Sequence, residues 1–149
     1  MRTVTLPSKT IYGISTRTNN KNEFDPKKGK IGKLHHDFDA NVTVDYKNGA
    51  RVYALYYDFA SDMHGDYSVL AGADEIASSE VELEAVTIPA GKYMLFKGQG
   101  SVPAVVFETW QKVWSHFEDK REEARRAYGV DFEVYKGPEE IEIYISMNG

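Results

Sequence analysis

The chain reads as an α+β protein made of a duplicated strand–helix–strand–strand module, and three observations carry that reading. The string Val4-Thr5-Leu6-Pro7 recurs as Val86-Thr87-Ile88-Pro89, an offset of 82 residues. An amphipathic helix pattern sits between runs of strand-like residues. The segment DFEVYKGPEEIEIYIS, Asp131 to Ser146, alternates apolar and polar residues about a turn at Lys136-Gly137-Pro138, as a hairpin does. The same offset carries Val52-Tyr53 onto Val134-Tyr135, so both halves follow one element order. The expectation is a single domain over residues 1–149, with halves of about 1–79 and 80–149. Its antiparallel sheet carries a helix from each half on one face, with a cleft between the halves.

The elements follow in order. Thr3 to Thr16 reads as a strand broken at Pro7, and Arg17 to Lys30 as a long polar loop. Ile31, Leu34 and Phe38 stand at helical spacing. Asn48-Gly49 marks a tight turn pairing Val42–Tyr46 with Arg51–Phe59. A turn at Ser61 to Asp66 leads into the strand Tyr67–Ala71, and Gly72 to Ser79 is a polar link. Val81 to Phe96 is a strand interrupted at Ile88-Pro89-Ala90-Gly91. The long helix is expected over Val102 to Tyr128, with Pro103 in its first turn, Ser101 as cap and Gly129 as its stop. Val106, Trp110, Val113, Trp114 and Phe117 form its apolar stripe, and Glu122 with Arg126 an exposed i,i+4 pair.

Composition narrows the function classes. A hydrophobic share of 42% and an aromatic share of 13% describe a globular chain, and ten tyrosines suit the lining of a binding surface. A net charge of −5 with no strong basic patch argues against nucleic-acid binding. With no cysteine there is neither disulfide nor thiolate metal site. No signal core and no membrane-length apolar run are present, so a cytoplasmic protein is expected.

Several constellations imitate chemistry without completing it. Gly98 and Gly100 precede a helix, but Pro103 stands where a dinucleotide fingerprint needs its third glycine. His35, His36, Asp37 and Asp39 are adjacent and diverge around a helix, with no second ligand pair, so no metal and no cofactor are expected. The closing hairpin is more informative. Alternation puts Glu133 and Tyr135 on one face of the first strand, and Glu142 and Tyr144 on one face of the second. Read together, the two pairs make one acidic, aromatic side opposite Ile141, Ile143 and Ile145. That side is either a solvated exterior or a wall for an organic cation.

Three segments carry a family resemblance: VYALYYDFASDMHGDYSVLAG (Val52 to Gly72), VTIPAGKYMLFKGQG before the long helix, and the terminal EIYIS. They resemble the integron-cassette effector-binding proteins of the GyrI-like, AraC-type effector-binding superfamily. The resemblance implies a duplicated fold whose cleft binds small, often cationic and lipophilic molecules, with no cofactor. It assigns the two acidic positions to Glu133 and Glu142, with Tyr135 and Tyr144 stacking beside them. First-half aromatics correspond to Tyr53 and Tyr67, and helix aromatics to Phe107 or Trp110. Relatives often end IYI-Pro, whereas this chain has Ser146. No DNA-binding helix-turn-helix accompanies the domain, so a stand-alone effector-binding module is expected, sequestering compounds or signalling through a separate regulatory protein. The alternatives are a hydrolase of reactive small molecules, with Glu133 or Glu142 as general base, and a protein-interaction module.

Overall fold

The computed structural model describes residues 1–149 of the chain. Its strands are β1 (Arg2–Leu6), β2 (Lys9–Thr18), β3 (Val42–Val44), β4 (Val52–Tyr57), β5 (Tyr67–Ala73), β6 (Ile76–Ser79), β7 (Glu84–Ile88), β8 (Gly91–Gln99), β9 (Asp131–Gly137) and β10 (Glu140–Ser146). The helices are α1 (Asn20–Glu23), α2 (Ile31–Asn41), α3 (Ala104–His116) and α4 (Lys120–Glu123). None of them is long and apolar enough to cross a membrane.

Eight strands form one antiparallel sheet in the order β1-β8-β10-β9-β4-β5-β2-β7. Exchanging β1 with β7, β2 with β8, β4 with β9 and β5 with β10 reproduces this order read backwards, with β9 and β4 at the centre. Prolines 7 and 89 interrupt the ladder because proline has no N–H to donate. The chain crosses both breaks without losing register: Leu6 faces Gly91, and Lys9 faces Ile88. One ribbon therefore serves both ends of the sheet, which curls around it. The concave side closes over Ile11, Leu55, Leu70, Phe132 and Val134 without help from any helix. On the other side α2 buries Leu34 and Phe38 over β4 and β5, and α3 buries Val105 and Val113 over β8 and β10.

Four expectations are corrected. Val42–Val44 pairs with β6 in a separate two-stranded sheet, not with β4, because Tyr46–Asn48 turns helically and Gly49 (φ 86) redirects the chain. The polar link from Gly72 contains the end of β5 and all of β6. The long helix ends at His116, and α4 restarts after Asp119, whose carboxylate accepts from the Arg121 amide at 2.8 Å. Glu122 pairs with His116 and Arg125, leaving Arg126 to pair with Asp131.

Helix α3 lies close on β8 because Gly98 lacks a side chain. A Cβ there would lie 2.0 Å from Thr109 Oγ1, which is held by a 2.7 Å hydrogen bond to the Val105 carbonyl. Gly98→Ala is expected to cost about 1–3 kcal/mol by overpacking. Thr109→Ala in the same background recovers part of that loss. Urea denaturation midpoints measure both effects, and a Gly98→Ala chain as stable as its parent would show that this contact constrains nothing.

Candidate ligand-binding site

Strand register decides which side chains meet. Ile143 lies opposite Glu133 and Ile141 opposite Tyr135, so these four share the helix-covered face. Phe132 lies opposite Tyr144 and Val134 opposite Glu142, on the concave face. The two glutamate–tyrosine pairs thus point to opposite sides of the sheet, which corrects the single acidic wall expected from the sequence. A β-hairpin with this pairing mixes its faces because the aliphatic row of one strand meets the polar row of the other. The repeat offset fails for the same reason. It equates Tyr53 with Tyr135, yet Val52 is the residue opposite Tyr135, and Tyr53 faces Val134 on the concave side.

The centre of the helix-covered face is left open. Each helix packs on its own half, and between them β4 and β9 floor a cavity of about 800 Å³. Ala54 stands opposite Glu133, so the floor is low where the carboxylate rises. Aromatic rings make the walls. Tyr56 meets Trp110 edge-on at 5.3 Å and Tyr67 at 5.7 Å, and Trp110 is followed by Trp114 at 6.1 Å. Phe24 and Phe107, 61% and 50% exposed, both meet Trp114 edge-on at the rim.

Glu133 is 1% exposed and accepts from three side chains on three elements. Tyr56 donates to Oε2 at 2.9 Å, Trp110 Nε1 donates to the same oxygen, and Tyr135 donates to Oε1 at 3.0 Å. All three donors are neutral, and no lysine, arginine or histidine pairs with this carboxylate. Burial raises the phenol pKa of Tyr56 and of Tyr135 above the usual tyrosine value, and the Glu133 charge adds to both shifts. Burial also raises Tyr67, with help from Glu23 and Glu133.

Of the residues singled out in the sequence, Glu133, Tyr135, Tyr67, Phe107 and Trp110 line the cavity. Tyr53, Glu142 and Tyr144 lie on the other face. There Tyr144 stacks on Phe132 at 4.7 Å and donates to Glu142 Oε1 at 2.8 Å. Lys136 and Lys97 stand 3.6 and 3.7 Å from the Glu142 carboxylate, so its charge is already answered. Lys9 approaches the Tyr53 ring at 5.7 Å. Sequence reasoning missed Tyr56, Phe24 and His35 as cavity residues, and of the two stripe tryptophans it singled out Trp110 although Trp114 lines the cavity too. Trp114 was visible in the helical stripe, and Tyr56 in the aromatic segment VYALYY. The face of each element was the missing information: α3 turns Val105, Thr109 and Val113 to the sheet and leaves Trp110 and Trp114 at the cavity.

An aromatic cavity on the helix-covered face of the sheet, between its two halves, defines a small-molecule-binding module of the effector-binding kind. The chain belongs to the Cass2 family of integron-associated effector binding proteins, whose model matches residues 2–147. An integron cassette protein from the mobile metagenome of Vibrio cholerae is 32% identical, with a TM-score of 0.86 over 99% of this chain and 95% of that one. A Staphylococcus aureus chain named for transcription regulation is 20% identical (TM-score 0.70, 99% and 97% covered). SAV2435, solved bound to tetraphenylphosphonium, is 18% identical (TM-score 0.64, 99% and 93% covered). For these last two the likeness is one of fold. Among curated proteins no sequence match is found.

A phenol whose folded pKa is raised contributes stability that is complete below about pH 10 and is lost as the pH rises further. Tyr56, Tyr67 and Tyr135 are therefore expected to ionise only as the fold opens. An alkaline titration followed by phenolate absorbance and circular dichroism should show a late absorbance step that coincides with loss of structure. Complete ionisation of all tyrosines while the far-ultraviolet signal stays native would contradict this.

Proposed function

We propose that the protein binds lipophilic organic cations in the central cavity, acting as an effector-binding domain. Glu133 is the counter-charge, Tyr56, Tyr67, Tyr135 and Trp110 are the walls, and Phe107 sits at the rim. The observation that carries this reading is a buried carboxylate on the cavity wall that is hydrogen-bonded by neutral groups and paired with no cation. A cation entering beside it gains Coulomb attraction in a medium less polar than water. Each well-placed ring face adds about 0.5–2 kcal/mol. An aromatic lining with few polar groups favours an apolar ligand body over a strongly hydrated one. A fold relative solved with tetraphenylphosphonium points the same way. Tyr53, Glu142 and Tyr144 take no part in this site, because they face the other side of the sheet.

Tetraphenylphosphonium is the natural probe, and titration calorimetry the readout. Glu133→Gln is expected to weaken its binding by about tenfold to a hundredfold. Glu142→Gln should leave the affinity within about twofold, since an exposed-lysine ion pair contributes little. Equal losses in the two variants would mean that the cation does not sit on the helix-covered face.

A further inference from the structure

The cavity holds a second buried acid and a buried base. Asp131 lies two residues before Glu133, on the same face of β9, and is also 1% exposed. Its Oδ2 accepts from Arg126 at 2.9 Å, and its Oδ1 accepts from the Ser146 amide at 2.7 Å and hydroxyl at 2.9 Å. Arg126 is 8% exposed and lies between the Phe117 ring at 5.0 Å and the Tyr128 ring at 4.4 Å. Asp131, Glu133 and Arg126 all line the cavity. Burial raises the Asp131 carboxyl above its ordinary value, against the opposing pull of Arg126 and the Ser146 donors. The permanently charged Arg126 guanidinium at 2.9 Å and the Ser146 amide can only donate, and that pairing holds Asp131 as a carboxylate despite its burial.

Two further acids of the lining weigh less in this balance. Glu23 is half-buried and held by the amides of Lys30 and Ile31 at the start of α2, and Asp39 is exposed, so water screens both charges more than it screens the fully buried Glu133 and Asp131. The buried wall therefore carries two negative charges and one positive, with the positive one committed to Asp131. One negative charge is left over.

We propose that the Arg126–Asp131 pair sets the charge number of the ligand: the cavity takes singly charged aromatic cations and rejects compact dications. This rests on the cation reading of the same cavity. A monocation neutralises Glu133 and leaves no charge buried without a partner. A second positive charge inside the cavity meets a carboxylate already answered by Arg126 and is repelled by the guanidinium. It then pays its desolvation without return. Arg126 is thus a specificity-determining residue that touches the ligand's field without serving as its counter-charge.

The test uses two flat cations of nearly one shape, N-methyl-phenylpyridinium with one charge and methyl viologen with two, titrated calorimetrically into the full chain. The parent should prefer the monocation. Arg126→Gln frees Asp131 and should move the affinity ratio toward methyl viologen by about tenfold or more. Asp131→Asn sets Arg126 against Glu133 and should weaken both cations by about tenfold. The double variant Arg126→Gln/Asp131→Asn restores the single net charge, and the parent's preference should return with it. It also removes the unpaired buried charge that endangers folding of Arg126→Gln alone. A purely structural pair predicts that both single variants lose affinity alike and that the double variant restores nothing, which would overturn the proposal. A ratio unmoved across all four chains, while Glu133→Gln still abolishes monocation binding, overturns the charge-number inference alone. Failure of the parent to bind either cation overturns the cation reading, and this inference with it.

Discussion

A carboxylate buried in a mostly apolar wall costs several kcal/mol unless its oxygens are satisfied, and the helix-covered face is organised around that requirement at Glu133. Hydrogen bonds to a charged acceptor contribute about 1.5–3 kcal/mol each, so three of them are of the size needed. Their donors come from β4, β9 and α3, and the carboxylate therefore fixes the mutual placement of the two central strands and the second-half helix. The donors are also the walls. Tyr56, Trp110 and Tyr135 have their polar tips spent on Glu133 and offer mainly ring surface to the cavity, so the same bonds keep the charge buried and the lining apolar.

The opposite face solves a different problem. A sheet with helices on one side only would leave Leu55, Leu70, Phe132 and Val134 in water, but the curl folds that side onto itself. The ribbon of β1–β2 against β7–β8 makes the curl possible by belonging to both ends of the sheet. Glu142 and Tyr144 border this core in a setting where exposed lysines answer the charge. Two similar dipeptide patterns, Glu-x-Tyr at 133–135 and at 142–144, thus have unlike surroundings because their strands pair with opposite parity.

Much of this was legible in the sequence and in its family resemblance. Both proline breaks, the α2 stripe of Leu34 and Phe38, the closing hairpin and the cavity residues Glu133, Tyr135, Tyr67 and Trp110 follow from period, turn chemistry and family resemblance. Parity was not legible. Whether Glu133 shares a face with Glu142 depends on the exact hairpin register, including an irregularity between Glu140 and Ile141, and a one-residue slip exchanges every side chain between faces. Nor does local sequence choose the partner of Val42–Val44, since Asn48-Gly49 makes a good hairpin turn whether or not strands flank it. The helix face was ambiguous because Trp110 and Trp114 are apolar enough for the core and large enough to reach beyond it.

The outermost strands of the large sheet, β1 and β7, are five residues long, and proline follows each of them. Arg2, Thr3 and Thr5 on one and Glu84, Ala85 and Thr87 on the other are exposed. A foreign strand seeking to extend this sheet meets a short, polar border that offers few consecutive backbone groups before the chain turns away. The curl that shelters the concave core thus also gives the molecule poor edges for templated aggregation. That protection sits at the two ends of the strand order, whereas the cavity lies over its central strands β4 and β9.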